Sequence, residues 1–232
     1  MKRALIKLSG EALCAGADGI YNTKFVDEVA ASIKTAADEG VQIAIVVGAG
    51  NIWRGRQGND MDRVEADRMG MLATVINAIC LKDALIRAGR EAVVMSAVPM
   101  SPFAENYSSE RAIKYLEAGK VVIFGAGLGI PFLSTDTAGA LRAVEIGADA
   151  MLMAKNIDYI YTADPKKDPS ARKLETVKCS EILANNLKAI DATAAAFCMA
   201  NGMPIRVFGL YKAADVLKAL RGESLGTVVT PD

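Results

Sequence analysis

The sequence contains no histidine among its 232 residues. Ser-His-Asp triads, Cys-His nucleophiles, HExxH zinc sites and facial-triad iron sites all require an imidazole, so the sequence excludes each of these sites. Any chemistry must therefore be carried out by carboxylates, lysine, arginine, backbone amides and hard metal ions.

Cysteine, net charge and long apolar runs are also scarce. Lys plus Arg equals Asp plus Glu at 27 each, so no overall field attracts nucleic acid or an anionic membrane. The N-terminal apolar stretch is short and contains Lys7, which predicts neither a signal peptide nor a membrane span. We expect a cytoplasmic protein with a small ligand and with reduced thiols at its scattered cysteines, which are Cys14, Cys80, Cys179 and Cys198.

Short Val- and Ile-rich runs alternate with helical patterns along the whole chain. This alternation predicts βαβ units and a central, mostly parallel sheet with helices on both faces, an α/β fold organised as a three-layer α/β/α sandwich. We expect one domain over residues 1–232 and a surface loop at 158–173. The predicted strands are 4–8, 41–47, 92–97, 121–124, 150–154, 205–208 and 227–229, and the predicted helices are 25–37, 65–88, 109–118, 135–147, 180–187, 192–201 and 213–220.

The helix at 65–88 has the longest helical pattern in the sequence. Its large apolar residues recur at helical spacing and predict a broad face that is mostly buried. The residues of this face are Met69, Leu72, Val75, Ile76, Ile79 and Cys80.

Three glycine-bearing loops, at 9–10, 48–51 and 125–129, each follow a predicted strand. In a parallel sheet such loops emerge at one edge, where ligands of open α/β sheets bind. Glycine lets backbone amides approach phosphate oxygens, although glycine after a strand is also a common turn residue. The P-loop pattern is excluded because Gly119-Lys120 continues with Val121, and the dinucleotide fingerprint is broken at Ile130.

Two cationic residues lie beside these loops. Lys7 ends the first predicted strand, where its ammonium either meets a developing negative charge or reaches solvent along its aliphatic stem. Arg54 follows the second glycine loop, where it is either a phosphate ligand or a solvated loop residue.

The acidic residues near the loops also allow two interpretations. Asp136 either caps the helix that begins near it or orients Lys7 and a magnesium-bound nucleotide. Asp67 either caps the long helix or accepts hydrogen bonds from sugar hydroxyls. Tyr161 and Asp164 flank a polar loop that can equally be plain surface structure.

Six segments together carry a family resemblance over essentially the whole chain: 7–11 (KLSGE), 48–55 (GAGNIWRG), 67–74 (DRMGMLAT), 127–136 (GLGIPFLSTD), 161–165 (YTADP) and 204–208 (PIRVF). In order and spacing they resemble the bacterial uridylate kinases of the amino-acid-kinase superfamily. KLSG alone would indicate only the superfamily, whereas NIWRG and DRMGMLAT resemble the uridylate kinases specifically. The resemblance implies that the chain transfers the γ-phosphate of ATP to UMP, on the route to CTP.

The resemblance also implies roles for individual residues. Lys7, Arg54 and Asp136 would be catalytic, with Asp136 organising the centre. ATP would be held by Lys7, Leu8, Ser9, Gly10, Gly50, Arg54, Asn156, Tyr161 and Asp164. UMP would be held by Ala49, Asp67, Leu128, Gly129, Ile130, Pro131, Phe132, Leu133, Ser134 and Thr135. Asp67 would face the ribose, with Pro131 and Phe132 near the base.

Cofactor, effectors and assembly follow from the same resemblance. Mg²⁺ would be carried with ATP rather than by a dedicated protein site, GTP would activate, UTP would inhibit, and the chain would form a homohexamer. The sequence departs from the family pattern at Ala49 and at Tyr159, where the family usually has glycine. The loop tied to GTP activation, at 15–20, is shortened.

Two other functions remain open on the residues alone. The first is a related kinase that phosphorylates a carboxylate or a carbamate. The second is a nucleotide sensor or oxyanion-storage subunit that binds without transferring phosphate.

Overall fold

The computed structural model describes residues 1–16, 18–53 and 60–232. The strands are β1 Arg3–Leu8, β2 Gln42–Val47, β3 Ala92–Ser96, β4 Glu105–Asn106, β5 Val121–Gly125, β6 Ala150–Lys155, β7 Ile160–Tyr161, β8 Lys173–Leu174, β9 Thr176–Lys178, β10 Ile205–Gly209 and β11 Thr227–Thr230. The helices are α1 Gly10–Cys14, α2 Thr23–Asp38, α3 Arg63–Arg87, α4 Ser109–Glu117, α5 Thr135–Glu145, α6 Cys179–Ala184, α7 Ala192–Ala200 and α8 Ala214–Arg221.

Nine strands form one sheet in the order β4-β3-β5-β2-β1-β6-β10-β11-β9. Neighbouring strands are parallel except β10 and β11, which pair antiparallel. The four strands β5, β2, β1 and β6 are therefore adjacent and parallel, so their carboxyl ends lie along one edge. The predicted mostly parallel sheet is confirmed, while the single domain over 1–232 stays a prediction.

The sheet separates two helical layers. Residues of α2, α3 and α8 form one core with the sheet, and residues of α4, α5, α6 and α7 form the other. Side chains of β1 alternate between these layers: Ala4, Ile6 and Leu8 pack in the first core and Leu5 in the second. By the same alternation Lys7 lies on the side of α5. The predicted three-layer sandwich is confirmed. Because Lys7 points into the second layer, its side chain lies beside α5.

The predicted helix α3 is confirmed, but the prediction of its buried face is wrong for four of the six residues, since only Val75 is buried and Cys80 is half-buried. Met69, Leu72, Ile76 and Ile79 are exposed. The inner face instead carries mostly small or polar residues, because α3 packs closely on β3 and β5. These inner residues are Ala66, Ala73, Thr74, Val75, Asn77, Ala78, Leu81, Ala84 and Leu85.

By length and composition alone, α3 is also apolar enough to cross a membrane. Its contacts with β2, β3 and β5 are those of a helix packed on the sheet of a folded domain. We therefore interpret α3 as a core helix with an exposed apolar outer face.

Several short elements were not predicted. Ser9 accepts a hydrogen bond from the Ala12 amide through its side chain and begins α1, where only a loop was expected. The expected surface loop 158–173 contains β7, which pairs antiparallel with β8. Two- and three-residue strands such as β4 and β9 bury too few apolar side chains to leave a periodic pattern.

We expect Gly226→Ala to destabilise the fold more than Gly222→Ala. Both glycines have positive φ, +65° and +78°, so backbone strain at either alanine should lower the free energy of unfolding by about 1 kcal/mol. At Gly226 the new Cβ would also lie 2.0 Å from the Val207 carbonyl oxygen, whereas at Gly222 nothing lies within 4 Å. Urea unfolding should show a loss of about 3 kcal/mol for Gly226→Ala and about 1 kcal/mol for Gly222→Ala. Equal losses would show that the close approach to β10 costs nothing.

Candidate active site

A Lys-Asp-Lys cluster lies at the carboxyl edge of the sheet. Lys7 is near the end of β1, Lys155 ends β6, and Asp136 is in the first turn of α5. Lys7 Nζ lies 3.1 Å from Asp136 Oδ1, and Lys155 Nζ lies 2.7 Å from Asp136 Oδ2. Each carboxylate oxygen therefore has its own ammonium partner. Lys155 also donates to the Ala189 carbonyl at 2.6 Å.

The cluster is buried, which decides between the alternative interpretations of Lys7. The side chains of Lys7 and Asp136 are each 10% exposed. The ammonium of Lys7 thus meets a carboxylate inside the protein, and the interpretation of Lys7 as a strand-end lysine that reaches bulk solvent is wrong.

Charge and burial oppose each other in this cluster. Burial alone would raise the pKa of the Asp136 carboxyl, but the ammonium groups of Lys7 and Lys155 hold it below its ordinary value of 3.8. Burial lowers the pKa of Lys155 below 10.5, the Asp136 carboxylate opposes that shift, and the positive charge of Lys7 adds to it. Two cations thus share the Asp136 carboxylate, and the negative charge of Asp191 also favours the charged form of Lys155.

The start of α5 is fixed by a capping residue other than Asp136. Ser134 is the N-cap, and its hydroxyl accepts a hydrogen bond from the Thr137 amide. Asp191 Oδ2 accepts hydrogen bonds from Ser134 Oγ at 2.5 Å and from Thr137 Oγ1 at 2.9 Å. The interpretation of Asp136 as the helix cap is wrong, because Ser134 caps α5 and leaves Asp136 to the lysines.

The first two glycine loops pack directly against each other. A Cβ at Gly10 would lie 2.5 Å from Asn51 Oδ1, 2.6 Å from the Gly50 nitrogen and 2.8 Å from the Gly48 oxygen. Only glycine at position 10 allows this approach. The two loops are therefore one surface, as their shared sheet edge predicts.

The third glycine loop is attached to α3. The Ala126 amide donates a hydrogen bond to Thr74 Oγ1 at 2.8 Å, and Ala126 adopts a positive φ of 60°. Thr74 is buried on the inner face of α3. A side chain of the long helix thus sets the path of the chain as it leaves β5.

Two cavities adjoin the cluster, and a third lies beside the second. The first, of about 510 Å³, is lined by residues that include Ala49, Gly50, Asp67, Leu128, Ile130 and Leu133. The second, of about 650 Å³, is lined by Asp136, Lys155, Asn156 and Asp191 among others. Both cavities are also lined by Lys7, Ser9, Glu11 and Thr135. The third, of about 550 Å³, shares Asn156 with the second and is lined by Tyr161 and Asp164.

Asp67 joins α3 to the loop that follows β5. Its Oδ2 accepts hydrogen bonds from Arg63 Nε and from the Phe132 amide, each at 2.8 Å. Phe132 has a positive φ of 70°, and the Arg63 guanidinium lies 5.5 Å from its ring centroid. The interpretation of Asp67 as the helix cap is wrong, because Asp62 accepts hydrogen bonds from the amides at the start of α3.

The structure brings most of the predicted site residues together around these cavities. Leu8 lies apart from them because its side chain is fully buried in the core. Gly129, Pro131 and Phe132 belong to the same loop as the cavity residues Leu128 and Ile130, and the Phe132 ring is exposed. Arg54 lies outside the described residues.

Sequence reasoning missed Lys155 and Asp191. Lys155 could have been found, because like Lys7 it ends an apolar strand predicted to lie in the parallel sheet. Asp191 precedes a predicted helix, so its sequence signal is that of an ordinary N-cap. It does cap α7, through the Thr193 amide, but its second oxygen also holds Ser134.

The carboxylates near the cluster were compared with the requirements of a magnesium ion. Among the residues that the structure describes, no group of three or more His, Cys, Asp or Glu side chains could hold a metal ion. Both oxygens of Asp136 already accept from lysines. This donor set fits a magnesium ion bound mainly through the phosphates of a nucleotide, which is the usual mode for Mg²⁺.

Comparison with known proteins agrees with this geometry. A sequence model of the amino acid kinase family matches residues 2–209. The chain belongs to the amino acid kinase family. Its members are phosphotransferases, so the cluster lies in a kinase.

Solved structures resemble this kinase over its whole length. The UMP kinase from Bacillus anthracis has a TM-score of 0.94 at 36% identity, covering 100% of this chain and 96% of that one. The UMP kinase from Ureaplasma parvum has a TM-score of 0.92 at 35% identity, covering 99% and 98%. The uridylate kinase from Archaeoglobus fulgidus has a TM-score of 0.75 at 27% identity, covering 99% and 100%.

The cluster generates two opposite predictions for the pKa of Lys155. Asp136→Asn should lower this pKa further, because the carboxylate is the group that favours the charged ammonium. Lys7→Met should raise it, because the variant removes a neighbouring positive charge. NMR titration of ¹³C-labelled lysine side chains would measure both shifts.

Lys155→Arg assigns the signal in that titration, and Lys34→Arg, at a surface ion pair on α2, is the matched control that should leave it unchanged. Shifts of the same sign in Asp136→Asn and Lys7→Met would contradict the arrangement of charges described here.

Proposed function

We propose that this kinase is a UMP kinase, which transfers the γ-phosphate of ATP to UMP and yields UDP and ADP for pyrimidine nucleotide synthesis. Family membership and the full-length similarity to two UMP kinases support the reaction class and the acceptor. The structural observation that carries the proposal is that two cavities meet at the Lys7 ammonium. A transferase that joins two phosphorylated substrates needs this layout.

The first cavity suits the acceptor. Leu128, Ile130 and Leu133 provide an apolar wall for a base, and Asp67 provides a carboxylate oxygen for ribose hydroxyls. Ala49 lines this cavity together with Lys7, and the acceptor phosphate would be placed between them.

The second and third cavities together suit ATP. The second presents Lys7 and Lys155 to a triphosphate, and Asn156 connects it to the third cavity. There Tyr161 donates a hydrogen bond to Asp158 at 2.9 Å, which orients its ring beside Asp164. This region would hold the adenosine part.

Phosphoryl transfer requires mainly that the enzyme position the two substrates and neutralise the negative charge of their phosphates. Phosphoryl transfer passes through a loose transition state in which negative charge spreads over the transferred oxygens. No side chain needs to remove a proton from UMP, because the second pKa of a phosphate monoester is about 6 and the acceptor is largely dianionic at neutral pH. A site without histidine is therefore adequate.

Each member of the cluster then has a distinct role. Lys7, at the junction of both cavities, would contact the transferred phosphoryl group, and Lys155 would contact the phosphates of ATP. Asp136 holds both ammonium groups in place and remains an anion itself. Magnesium bound to the ATP phosphates would neutralise further charge when present. Arg54 would add a guanidinium that contacts ATP, as the family resemblance implies.

Self-association is part of the proposal, and the outer face of α3 supports it. Leu72 and Ile76 are 53% and 51% exposed, and Met69, Ile79 and Ile86 continue the apolar stripe. A large contiguous apolar patch on the surface of a folded protein marks an interaction surface. We propose that copies of the chain pair along α3, within the homohexamer that the family resemblance implies. GTP activation and UTP inhibition stay predictions.

The substrate assignment predicts activity confined to nucleotide acceptors. ADP release should be observed with UMP, and at most weakly with CMP, when the enzyme is assayed with ATP and Mg²⁺. Acetylglutamate, aspartate and carbamate should give none. Activity only with one of these three acceptors would favour a related kinase, and nucleotide binding without ADP release would favour a sensor.

Lys7→Ala should lower kcat by about 10³-fold, because one cation at the transferred phosphoryl group has an effect of this size. Lys34→Ala, which removes a surface lysine from α2, is the control and should keep wild-type turnover. A folded Lys7→Ala enzyme with near-normal turnover would refute the role of Lys7.

Replacement of Ile76 by glutamate should dissociate the oligomer, because the variant places a charge in the middle of the apolar stripe. Sedimentation velocity should show a wild-type particle larger than a monomer and a smaller one for Ile76→Glu. Ala31→Glu, on the exposed side of α2, adds the same charge elsewhere and should leave the particle unchanged. A wild-type monomer would contradict the proposed assembly.

A further inference from the structure

We infer that Asn77 is a positioning residue for phosphoryl transfer: from the inner face of α3, its side-chain amide holds the 48–51 loop in the position that the acceptor substrate needs beside Lys7. This inference rests on the proposed function for its effect on turnover. Its effect on the loop can be measured independently.

Asn77 is a polar residue at a core position. It is fully buried in the middle of α3, between apolar neighbours on the same face such as Ala73, Ala78 and Leu81. Burying an amide without partners is unfavourable, so a buried asparagine must be explained by its hydrogen bonds.

Every donor and acceptor of the Asn77 amide is used. Nδ2 donates to the Gly48 carbonyl at 2.7 Å and to Asn51 Oδ1 at 2.8 Å. Oδ1 accepts from Tyr21 OH at 2.7 Å and from Asn51 Nδ2 at 3.1 Å. Asn51 Nδ2 also donates to the Ile20 carbonyl at 3.0 Å. One side chain therefore joins α3, the glycine loop and the segment that precedes α2.

Only one orientation of the amide satisfies this network. The Gly48 carbonyl can only accept, so the Asn77 nitrogen must face it. The oxygen then faces Tyr21, whose pKa is raised to about 12, by burial and then by the nearby Cys80, so its hydroxyl is available as a donor at neutral pH. The network thus specifies asparagine: an aspartate would turn an acceptor toward the Gly48 carbonyl, and a leucine would leave that carbonyl without its partner.

The held segment is the part of the loop that lines the first cavity, where the acceptor would bind. The Gly48 amide donates to the Leu8 carbonyl at 2.8 Å, so this residue is fixed to β1 on one side and to α3 on the other. The next residues, Ala49 and Gly50, line the first cavity beside Lys7. Misplacement of reacting groups by about 1 Å can cost roughly 100-fold in rate.

The test is Asn77→Asp, which keeps the shape of the side chain and removes its two donors. We expect kcat to fall about 10- to 100-fold, while the KM values for ATP and UMP change by less than about threefold. Hydrogen–deuterium exchange of peptides that cover residues 48–52 should become faster. Asn201→Asp, at the exposed C-cap of α7, makes the same chemical change and should alter neither measurement.

A second variant covers the case in which Asn77→Asp does not fold. Tyr21→Phe removes a single donor to Asn77 Oδ1 and keeps the aromatic packing. It should lower kcat about threefold, the size expected for one lost hydrogen bond, and should speed exchange of the same peptides.

The outcomes separate this inference from the proposed function. A folded Asn77→Asp protein with wild-type kcat would overturn the inference, because a purely structural residue lowers stability without changing turnover of the folded enzyme. If Asn77→Asp does not fold, unchanged turnover and exchange in Tyr21→Phe would overturn it. If the wild type shows no phosphotransfer, the proposed function fails, and exchange at 48–52 still decides whether Asn77 holds the loop.

Discussion

The structure depends on one buried carboxylate that is shared by a buried lysine, Lys7, and a partly buried lysine, Lys155. An isolated ion at this depth would be strongly destabilising, and a simple pair would neutralise itself. With Asp136 between Lys7 and Lys155, each ammonium keeps a short contact with its own carboxylate oxygen. Lys7 lines both cavities together with the acidic residue Glu11. The ion pairs with Asp136 therefore allow two lysines to lie at the junction where the proposed function places the phosphates.

The fold supplies this arrangement through strand alternation and strand order. Lys7 occupies the position of β1 that faces α5, and β6, which ends in Lys155, is the parallel neighbour of β1. Both lysines therefore lie at the same edge of the sheet, and their side chains point to the same face, which α5 covers. Asp191 then fixes the beginning of α5 through Ser134, which holds Asp136 at the height where both ammonium groups can reach it.

The sequence predicted the structural features that neighbouring residues determine. It did not predict the contacts between residues that are far apart in the chain. Apolar runs such as 41–47 predicted strands, and glycine loops after strands predicted a common edge, because both depend on backbone geometry that neighbouring residues determine. The inner face of α3 was predicted wrongly because hydrophobicity alone cannot distinguish a face that packs closely through Ala73 and Ala78 from an outer face of larger residues. The position of Lys155 at the end of an apolar strand is a local signal, but its partners Asp136 and Ala189 lie 19 and 34 residues away, so no local pattern predicts its contacts.

The unusual composition of α3 follows from what this helix must hold. Its inner face carries Thr74, which accepts a hydrogen bond from the amide of Ala126, and Asn77, which donates to the carbonyl of Gly48. These two residues are one turn apart and contact the loops that leave β5 and β2, which are adjacent strands. Large apolar residues on this face would separate the helix from the loops, so they lie on the outer face instead. The exposed stripe and the buried polar residues are therefore two consequences of one requirement, that a single rigid helix determine the distance between two loops that line the first cavity.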